Sequence, residues 1–201
     1  MRNLNLALGL SVLVSFSAYA ENKGGLFVEP MLTYESGTSK VDFPAPAGSS
    51  KSDISGFGVG ARLGFHIQEI VFLGIDGRYS MPNYTNSDTK INTRATAYNI
   101  GPVVGIQMPT TLGLRLWAGY IMAGSMDLEK DQGIDLKFKD ATGYRVGGGI
   151  KIAAISLNLE YQQMMYGKTE LQDAGFFSGS TKNVDSTNQS FILSVSFPIS
   201  I

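Results

Sequence analysis

One stretch, residues 142–161 (TGYRVGGGIKIAAISLNLEY), constrains the fold most because two unlike kinds of residue alternate along it. From Tyr144 to Ile152 every second residue is apolar or glycine, and the residues between them are glycine, arginine or lysine. The alternation resumes after a short connection at Ala153-Ala154. Period-two alternation is typical of a strand with two different faces, and a tight turn between two such runs predicts an antiparallel hairpin. Glycines and charges suit a cramped polar interior and the apolar face suits lipid, so a transmembrane β-hairpin is predicted.

The same alternation recurs along the chain and predicts eight strands. These are Leu26–Glu35, Ser55–Ile67, Val71–Met81, Thr96–Met108, Leu112–Met122, the two strands of the hairpin above, and Gln189–Ile201. Eight is an even number and the smallest usual size of a membrane barrel. The predicted fold class is therefore all-β, an eight-stranded antiparallel up-and-down transmembrane β-barrel. Pro30 and Pro102 lie inside predicted strands, where a closed barrel has no edge to accommodate a missing N–H, so bulges or broken ladder bonds are expected there.

The connections between the predicted strands alternate in length, as in outer-membrane barrels. Three are short, near Gln68-Glu69, Pro109-Thr110 and Ala153-Ala154. Four are long: Gly37–Asp53, Pro82–Arg94, Gly124–Ala141 and Gly167–Asn188. This rhythm predicts periplasmic turns, outer loops, and both chain termini in the periplasm.

Two of the long connections contain candidate interaction features. Ile134, Leu136 and Phe138 alternate in the third, so the fifth and sixth strands are expected to continue above the membrane as a protruding sheet. Phe176-Phe177 in the fourth would be exposed aromatics, which can mark a binding spot. Mobile loops on a rigid scaffold commonly carry function, so an extracellular ligand of the loops is one possibility and solvated loops without a ligand are the other.

Charged residues of the predicted strands fall on the inward face. A lysine or arginine that faces lipid near the midplane costs about 2–4 kcal/mol, which explains the segregation. Because side chains fill an eight-stranded barrel, these charges are predicted to pair into a plug. The alternative is a narrow pore, and three negative against five positive residues would make it weakly anion-preferring. The predicted interior network comprises Glu29, Arg62, Asp76, Arg78, Arg115, Arg145, Lys151 and Glu160.

Outward-facing aromatic residues cluster near the long-loop end of the predicted strands. Amphipathic rings collect at the level of lipid headgroups, so these residues are predicted to form an aromatic girdle. The predicted girdle comprises Tyr34, Phe57, Tyr79, Tyr98, Tyr120, Tyr144 and Phe191, with Tyr161 as a less certain eighth member.

The N-terminal residues 1–20 have the form of a cleaved signal peptide. Arg2 supplies a positive charge, Leu4–Phe16 is apolar, and Ala18-Tyr19-Ala20 has the small-x-small form of a cleavage site. The predicted barrel domain is therefore 21–201. No other run approaches the roughly 20 apolar residues of a membrane helix. A secreted chain of amphipathic strands is expected in a Gram-negative outer membrane.

Composition and residue types exclude several other functions. With 16 Lys+Arg against 17 Asp+Glu there is no basic excess for binding nucleic acid. No cysteine is present, so disulfides and thiolate metal sites are excluded, and neither a cofactor nor a metal is predicted. The single histidine, His66, is predicted to face inward near a short turn, away from both lipid and outer loops. A non-enzyme is therefore predicted, and a lipid-modifying enzyme is the less favoured alternative.

Taken together, the sequence resembles the small eight-stranded outer-membrane barrels, the OmpA-like and OmpX-like transmembrane domains. The resemblance depends on GYRVGGGIKI followed by SLNLEYQQMMYGK, on LWAGY at Leu116–Tyr120 and on SFILSVSFPISI, and it covers Glu21–Ile201. It implies a monomer at the cell surface with a structural or interaction role. It also implies outer-membrane lipid, lipopolysaccharide and the barrel-insertion machinery as partners.

Overall fold

The computed structural model describes residues 24–42, 48–86, 91–110, 112–130, 135–173, 179–181 and 185–201. The predicted signal peptide, Ile134 and Phe176-Phe177 lie outside the described residues. Within these ranges there is no helix of the length and apolarity needed to cross a membrane. The strands are β1 (Gly24–Asp42), β2 (Ser49–Ile67), β3 (Val71–Asn86), β4 (Ile91–Gln107), β5 (Leu112–Ile121), β6 (Ala123–Leu128), β7 (Asp135–Ile152), β8 (Ile155–Asp173), β9 (Gly179–Thr181), β10 (Asp185–Ser196) and β11 (Ile199–Ser200).

The strands form a closed antiparallel ring with eight positions. Pairing proceeds from β1 through β2, β3 and β4 to β5 and β6, then through β7 and β8 to β10. The ring closes where β10 and β11 pair with β1. β5 and β6 share one position, β10 and β11 share another, and β9 pairs with β8. The predicted fold class is confirmed.

The two prolines of the predicted strands, Pro30 and Pro102, lie beside the expected irregularities of the ladder. The Phe197 N–H donates to the Pro30 carbonyl at 3.0 Å, but Pro30 has no N–H to donate in return, and the last ring position is interrupted between β10 and β11. Near Pro102 the pairing of β4 shifts. Val103 pairs with Gly119 and Ile100 pairs with Ala123, so three residue steps on β4 lie opposite four on the partner strand. One extra residue on the partner is a β-bulge, which separates β5 from β6.

The two ends of the barrel differ in how the strands are joined. At one end, here called the turn end, β2 joins β3, β4 joins β5 and β7 joins β8 through the three predicted short turns. Gln68 and Glu69 have φ values of 52° and 61°, the left-handed conformation that a tight hairpin turn of the right twist requires. The opposite end is called the loop end. The predicted positions of the short turns are confirmed.

At the loop end the predicted long connections prove to be mostly strand. β1 continues to Asp42 and β2 begins at Ser49, although the sequence predicted a connection from Gly37 to Asp53. The other three connections shorten in the same way, as the bounds of β3, β4, β6, β7, β8 and β10 show. The physical reason is that these extensions carry buried apolar residues that face the lumen, so pairing them closes a second core. The expected continuation through Leu136 and Phe138 is one part of this extension.

The lumen is filled in two layers, one of ion pairs and one of mainly apolar side chains with buried serines and asparagines among them. The ionic layer lies between the turn end and the level of Tyr34, and the apolar layer lies above it at the loop end. The ionic layer comprises Glu29, Arg62, Asp76, Arg78, Arg115, Arg145 and Glu160, all buried. The apolar layer comprises Val41, Ile54, Tyr84, Ala95, Ala97, Ile121, Met126, Leu128, Phe138, Ala141, Met164 and Tyr166.

Candidate functional site: the closed lumen

Asp76 on β3 lies at the centre of the ionic layer. Its carboxylate accepts hydrogen bonds from three arginines: Arg62 at 2.9 Å, Arg78 at 2.9 and 3.1 Å, and Arg145 at 2.7 Å. Arg62 lies directly opposite Asp76 in the β2–β3 ladder, so strand register brings this pair together. Three guanidinium groups surround one carboxylate, which compensates a buried charge that would otherwise be costly.

Glu29 on β1 is bound across the lumen. Arg115 on β5 donates from both terminal nitrogens, at 2.7 Å to each carboxylate oxygen. Arg62 adds a longer contact of 3.5 Å, and Ser196 donates at 2.6 Å. β1 and β5 are on opposite sides of the ring, so the bidentate pair spans the interior. Two parallel hydrogen bonds fix both the distance and the orientation of the partners.

Glu160 on β8 completes the ionic layer from a third side. Arg78 donates to its two oxygens at 2.9 and 2.7 Å, and the Trp117 indole donates at 3.2 Å. Arg145 approaches the same carboxylate at 3.9 Å. Asp76 and Glu160 therefore share Arg78 and Arg145, and each acidic residue is linked to the others through arginines.

Neutral polar residues that the sequence reasoning did not include extend the network. Arg145 donates to the Asn99 amide oxygen at 2.6 Å and to the Gln162 amide oxygen at 2.7 and 3.0 Å. Asn158 donates to Ser194 and Ser196 at 3.1 and 2.9 Å. All these residues occupy inward positions of predicted strands, so the alternation could have identified them.

Aromatic rings fill the space beside the guanidinium groups. The Arg62 carbon Cζ lies 4.9 Å from the centre of the Trp117 ring, and that of Arg115 lies 5.2 Å from the Phe72 ring. These are cation–π distances. Gly147 makes room for the indole, because a Cβ there would lie 2.7 Å from the Trp117 ring. Charge pairing and ring packing together leave the centre of the lumen occupied.

Lys151, the eighth predicted member of the interior network, lies apart from the other seven. It is half-buried at the turn end, and within the described part of the chain it forms no ion pair with the ionic layer. The ionic layer thus contains four arginines and three carboxylates. A fourth buried carboxylate, Glu35 of β1, accepts a hydrogen bond from Ser190 at 2.6 Å, so the buried charges of the lumen balance.

The seven residues of the predicted girdle all lie on the outer surface, with side chains 39–71% exposed. Several meet across strands: the Tyr34 and Phe57 rings are 5.0 Å apart, and the Tyr161 ring lies 5.5 Å from Phe191 and 6.2 Å from Tyr144. Tyr161 therefore lies among them. A band of exposed apolar residues extends from these rings to the turn end.

Above the girdle the outer surface is charged instead of apolar. On β6, β7 and β8, Lys137 pairs with Asp127, and Glu170 pairs with Lys139 at 2.6 Å and Lys168 at 2.7 Å. The hydrogen bonds from the two lysines lower the pKa of Glu170 from 4.5 to about 2. This polar surface marks the part of the barrel that projects beyond the apolar band.

His66 lies where the sequence predicted it, facing inward near a short turn. Its ring is 4.4 Å from that of Phe27, and its Nε2 atom has no hydrogen-bond partner among the residues that the structure describes. Within the described ranges, no three His, Cys, Asp or Glu side chains are grouped so that they could hold a metal ion.

A closed barrel with an apolar outer band and an ionic interior defines an integral membrane β-barrel. Residues 6–197 match the family model of the outer membrane protein beta-barrel domain, and the chain belongs to this family. Its location is the outer membrane. The resemblance to small outer-membrane barrels is confirmed.

Several solved outer-membrane proteins are similar to this chain. OprG from Pseudomonas aeruginosa is 9% identical with a TM-score of 0.54, and the match covers 90% of this chain and 98% of that one. Neisserial surface protein A is 19% identical with a TM-score of 0.44, covering 88% and 99%. Ail, the attachment invasion locus protein of Yersinia pestis, is 11% identical with a TM-score of 0.42, covering 86% and 99%. No curated protein sequence gives a significant match.

Proposed function

We propose that this protein is a closed, monomeric outer-membrane barrel with a structural or interaction role at the cell surface. The observation that carries the proposal is the pair of stacked layers in the lumen. Ion pairs span the interior from Arg115 to Glu29 and from Arg78 to Glu160, and an apolar layer lies above them. An ion would have to break the buried pairs and then cross an apolar layer, so a conducting path is disfavoured.

The surface that is available for interaction is the loop end. There the barrel projects beyond the aromatic girdle as paired strands with charged outer faces, among them Lys137, Lys139 and Glu170. A rigid sheet presents its side chains and connections at fixed positions, which favours recognition of a partner at low ordering cost. The proposed role requires the loop end to face outward and both chain termini to lie in the periplasm, after removal of residues 1–20.

The role is proposed to be non-enzymatic. His66 packs on Phe27 inside the turn end, remote from the loop end where an external substrate would arrive. A histidine that acts as a general base must lie within hydrogen-bond reach of the nucleophile whose proton it takes. The His66→Phe variant is expected to retain any activity detected toward lipid or peptide substrates.

Single-channel recording in a planar bilayer tests the closed lumen. The refolded barrel and its Arg62→Ala variant should both be silent, because the apolar layer remains closed when one arginine is removed. A general porin in the same bilayer is the positive control. Steady anion-favouring current steps that change with Arg62→Ala would replace the proposal with the narrow-pore alternative.

Protease treatment of intact and permeabilised cells tests the orientation. A cleavage site placed between β6 and β7 should be cut in intact cells, whereas one placed at Ala153-Ala154 should be cut only after permeabilisation. The reverse pattern would contradict the proposed orientation. Migration of the unboiled barrel as a single band at its monomer size checks the oligomeric state.

A further inference from the structure

The loop-end part of the β7–β8 hairpin is set off from the barrel by an irregularity at Asp140 and Gly167. Asp140 has a φ of 57°, the left-handed conformation that residues other than glycine rarely adopt. Gly167 lies beside it on β8, since a Cβ there would be 3.6 Å from the Cβ of Asp140. The β7–β8 ladder is regular directly above and below this level and skips these two residues.

The alternation of the two faces reverses at the same level in both strands. Below it, Ala141 on β7 and Tyr166 on β8 point into the lumen, and above it the paired residues Phe138 and Thr169 do so. In each strand these inward residues are three positions apart, from 138 to 141 and from 166 to 169, which a regular strand does not allow on one face. Both strands therefore bend together. The segment above the bend, residues 135–139 of β7 and 168–173 of β8, is here called the tip.

The tip is joined to the next strand of the ring by few ladder pairs. Two pairs connect it to β6, formed by residues 126–127 and 137–138. Toward the turn end, residues 122–125 lie opposite 139–142 without a ladder pair. The wall of the barrel is thus interrupted directly below the tip.

On its other side the tip is not part of the ring. The pairing of β8 with β10 ends at Tyr166, just below the bend, and above it the described residues of β8 pair with the short strand β9 and with β7. The extension of β1 and β2 is different, because its ladder continues without a gap to Asp42 and Ser49. Two parts of the loop end therefore differ in how firmly they are attached.

Side-chain contacts close the tip over the apolar layer. Phe138 is 1% exposed, and its ring lies 5.6 Å from that of Tyr166, just below the bend. Leu136 packs against the same layer, and Lys137 forms an ion pair with Asp127 of β6. These contacts stabilise the closed position in place of a continuous ladder.

The tip is held together internally. On its outer face Glu170 pairs with Lys139 at 2.6 Å and with Lys168 at 2.7 Å, so the two strands are joined by side chains as well as by their ladder. A segment that is well connected within itself and weakly connected to its surroundings moves as one body. Its charged outer residues keep their mutual positions when it moves.

We propose that the tip is a hinged lid over the lumen. It turns about Asp140 and Gly167, and in the open position it uncovers the apolar layer to solvent at the loop end. The ion pairs below the apolar layer stay in place, so opening creates no conducting path. The inference goes beyond the proposed function, because it makes access to the loop end of the lumen a property that the protein can change.

Hydrogen exchange measured by NMR spectroscopy on the full refolded barrel in micelles tests the hinge. The hydrogen-bonded amides of the tip should share one opening rate, with a step at Asp140 and Gly167, because a lid opens as a unit. They should exchange about a hundredfold faster than those of residues 39–41 in the β1 extension. Rates that rise gradually toward the end of the hairpin would show fraying and overturn the hinge.

A disulfide across the closed tip provides a lock, since the chain has no cysteine of its own. Asp127→Cys with Lys137→Cys places two thiols at directly opposed positions of β6 and β7. Oxidation should slow exchange in the tip about tenfold or more relative to the reduced form, because the cross-link opposes opening. Lys40→Cys with Lys51→Cys, directly opposed in the β1–β2 ladder, is the matched control and should leave the tip unchanged.

Phe138→Ala is a second variant that does not depend on a cross-link. It should speed exchange in the tip about tenfold or more, because the buried ring no longer holds the tip closed. Exchange of residues 39–41 should stay the same. Heat-modifiable migration on electrophoresis confirms that each variant has folded.

Exposure of the apolar layer is measured with a water-soluble paramagnetic agent. It should broaden the methyl signal of Met126, in the apolar layer, more in the reduced than in the oxidised Asp127→Cys, Lys137→Cys barrel. Met31, buried lower in the lumen, should be unaffected in both forms. Equal exchange rates and equal broadening with and without the lock would overturn the lid. Conductance is recorded separately, so failure of the lid and failure of the closed-barrel proposal are distinguishable.

Discussion

The two layers of the lumen show one fold built with opposite chemistry at two heights. In the ionic layer the inside is charged and the outside is apolar, whereas in the apolar layer the inside is mainly apolar, with buried polar residues such as Ser52 and Asn188, and the outside is charged. The strands run through both, so the backbone is shared. The medium around the barrel determines which face is apolar. The apolar face points outward where lipid surrounds the barrel and inward where water surrounds it.

The largest effect is expected when the ionic layer loses its central acceptor. Asp76→Asn should lower the free energy of unfolding by about 3–5 kcal/mol, because three buried arginines then lose their shared carboxylate and a buried positive charge is left uncompensated. Denaturant unfolding in lipid vesicles, followed through the single tryptophan Trp117, measures this. Asp42→Asn is the matched control, since its pair with Lys40 is exposed and should contribute less than about 1 kcal/mol. An equal loss of stability in Asp76→Asn and Asp42→Asn would show that burial does not determine how much an ion pair contributes.

A core truncation in the apolar layer should have the next largest effect. Ile54→Ala leaves a cavity among buried side chains and should cost about 2–5 kcal/mol, with easier protease cleavage at the loop end. Val59→Ala on the same strand removes methyl groups from the outer face, where lipid can fill the space, and should cost clearly less. If Val59→Ala were the more damaging, the loop-end layer would not be a core.

A charge scan along the outer face of β3 should locate the boundary between the zones. Ile75→Arg places a charge in the apolar band and should cost about 2–4 kcal/mol in vesicles. Thr85→Arg lies on the same face of the same strand but beyond the girdle, and it should change stability by less than about 0.5 kcal/mol. A similar cost at both positions would show that the apolar band extends to the loop end.

The smallest effect concerns the charged outer face of the loop end. The folded pKa of Glu170, about 2, lies below its ordinary value of 4.5, so its pairing stabilises the fold above pH 4.5 and this contribution is lost as the pH falls toward 2. NMR titration of the Glu170 carboxyl carbon measures the pKa directly. In a Lys139→Gln, Lys168→Gln double variant the pKa should return toward 4.5. An unchanged low pKa of Glu170 in the double variant would show that a group other than Lys139 and Lys168 stabilises its carboxylate.

The fold in the membrane zone was predictable because its pattern is local. Alternation along a strand assigns each residue to one face, and this assignment identified Arg62, Asp76 and Glu160 as inward and Leu63 and Leu159 as outward. The short turns follow from the same pattern, because they interrupt it. The inward and outward assignments and the turn positions can all be read from one sequence, without knowing how the strands close into a ring.

The loop-end extension was not predictable by the same rule. Val41, Ile54 and Tyr84 are single apolar residues between charged or polar neighbours, so each segment alone is typical of a solvated connection. Only the closed ring brings them together into one layer. A reversed alternation, with the apolar residues facing inward beyond the aromatic girdle, is the signal that could have identified it.

The partners within the site depend on distances that a sequence does not contain. Arg115 reaches Glu29 because their strands face each other across a narrow ring, whereas Lys151 is displaced toward the turn end and lines a cavity there. Both residues have the same inward assignment in the sequence. Height along the barrel and position around it separate them, and these follow from strand stagger.

Closure of the ring between β1 and β10 determines how the chain can enter a membrane. The closing pairs join residues far apart in the chain, such as Met31 with Ser196 and Val41 with Ser186. Contacts of such long sequence separation form slowly, because a large loop must close before they contribute. Until they form, β1 and β10 would expose unpaired backbone groups that lipid cannot satisfy. Insertion and closure are therefore coupled, and half of this barrel would have no stable existence in the bilayer.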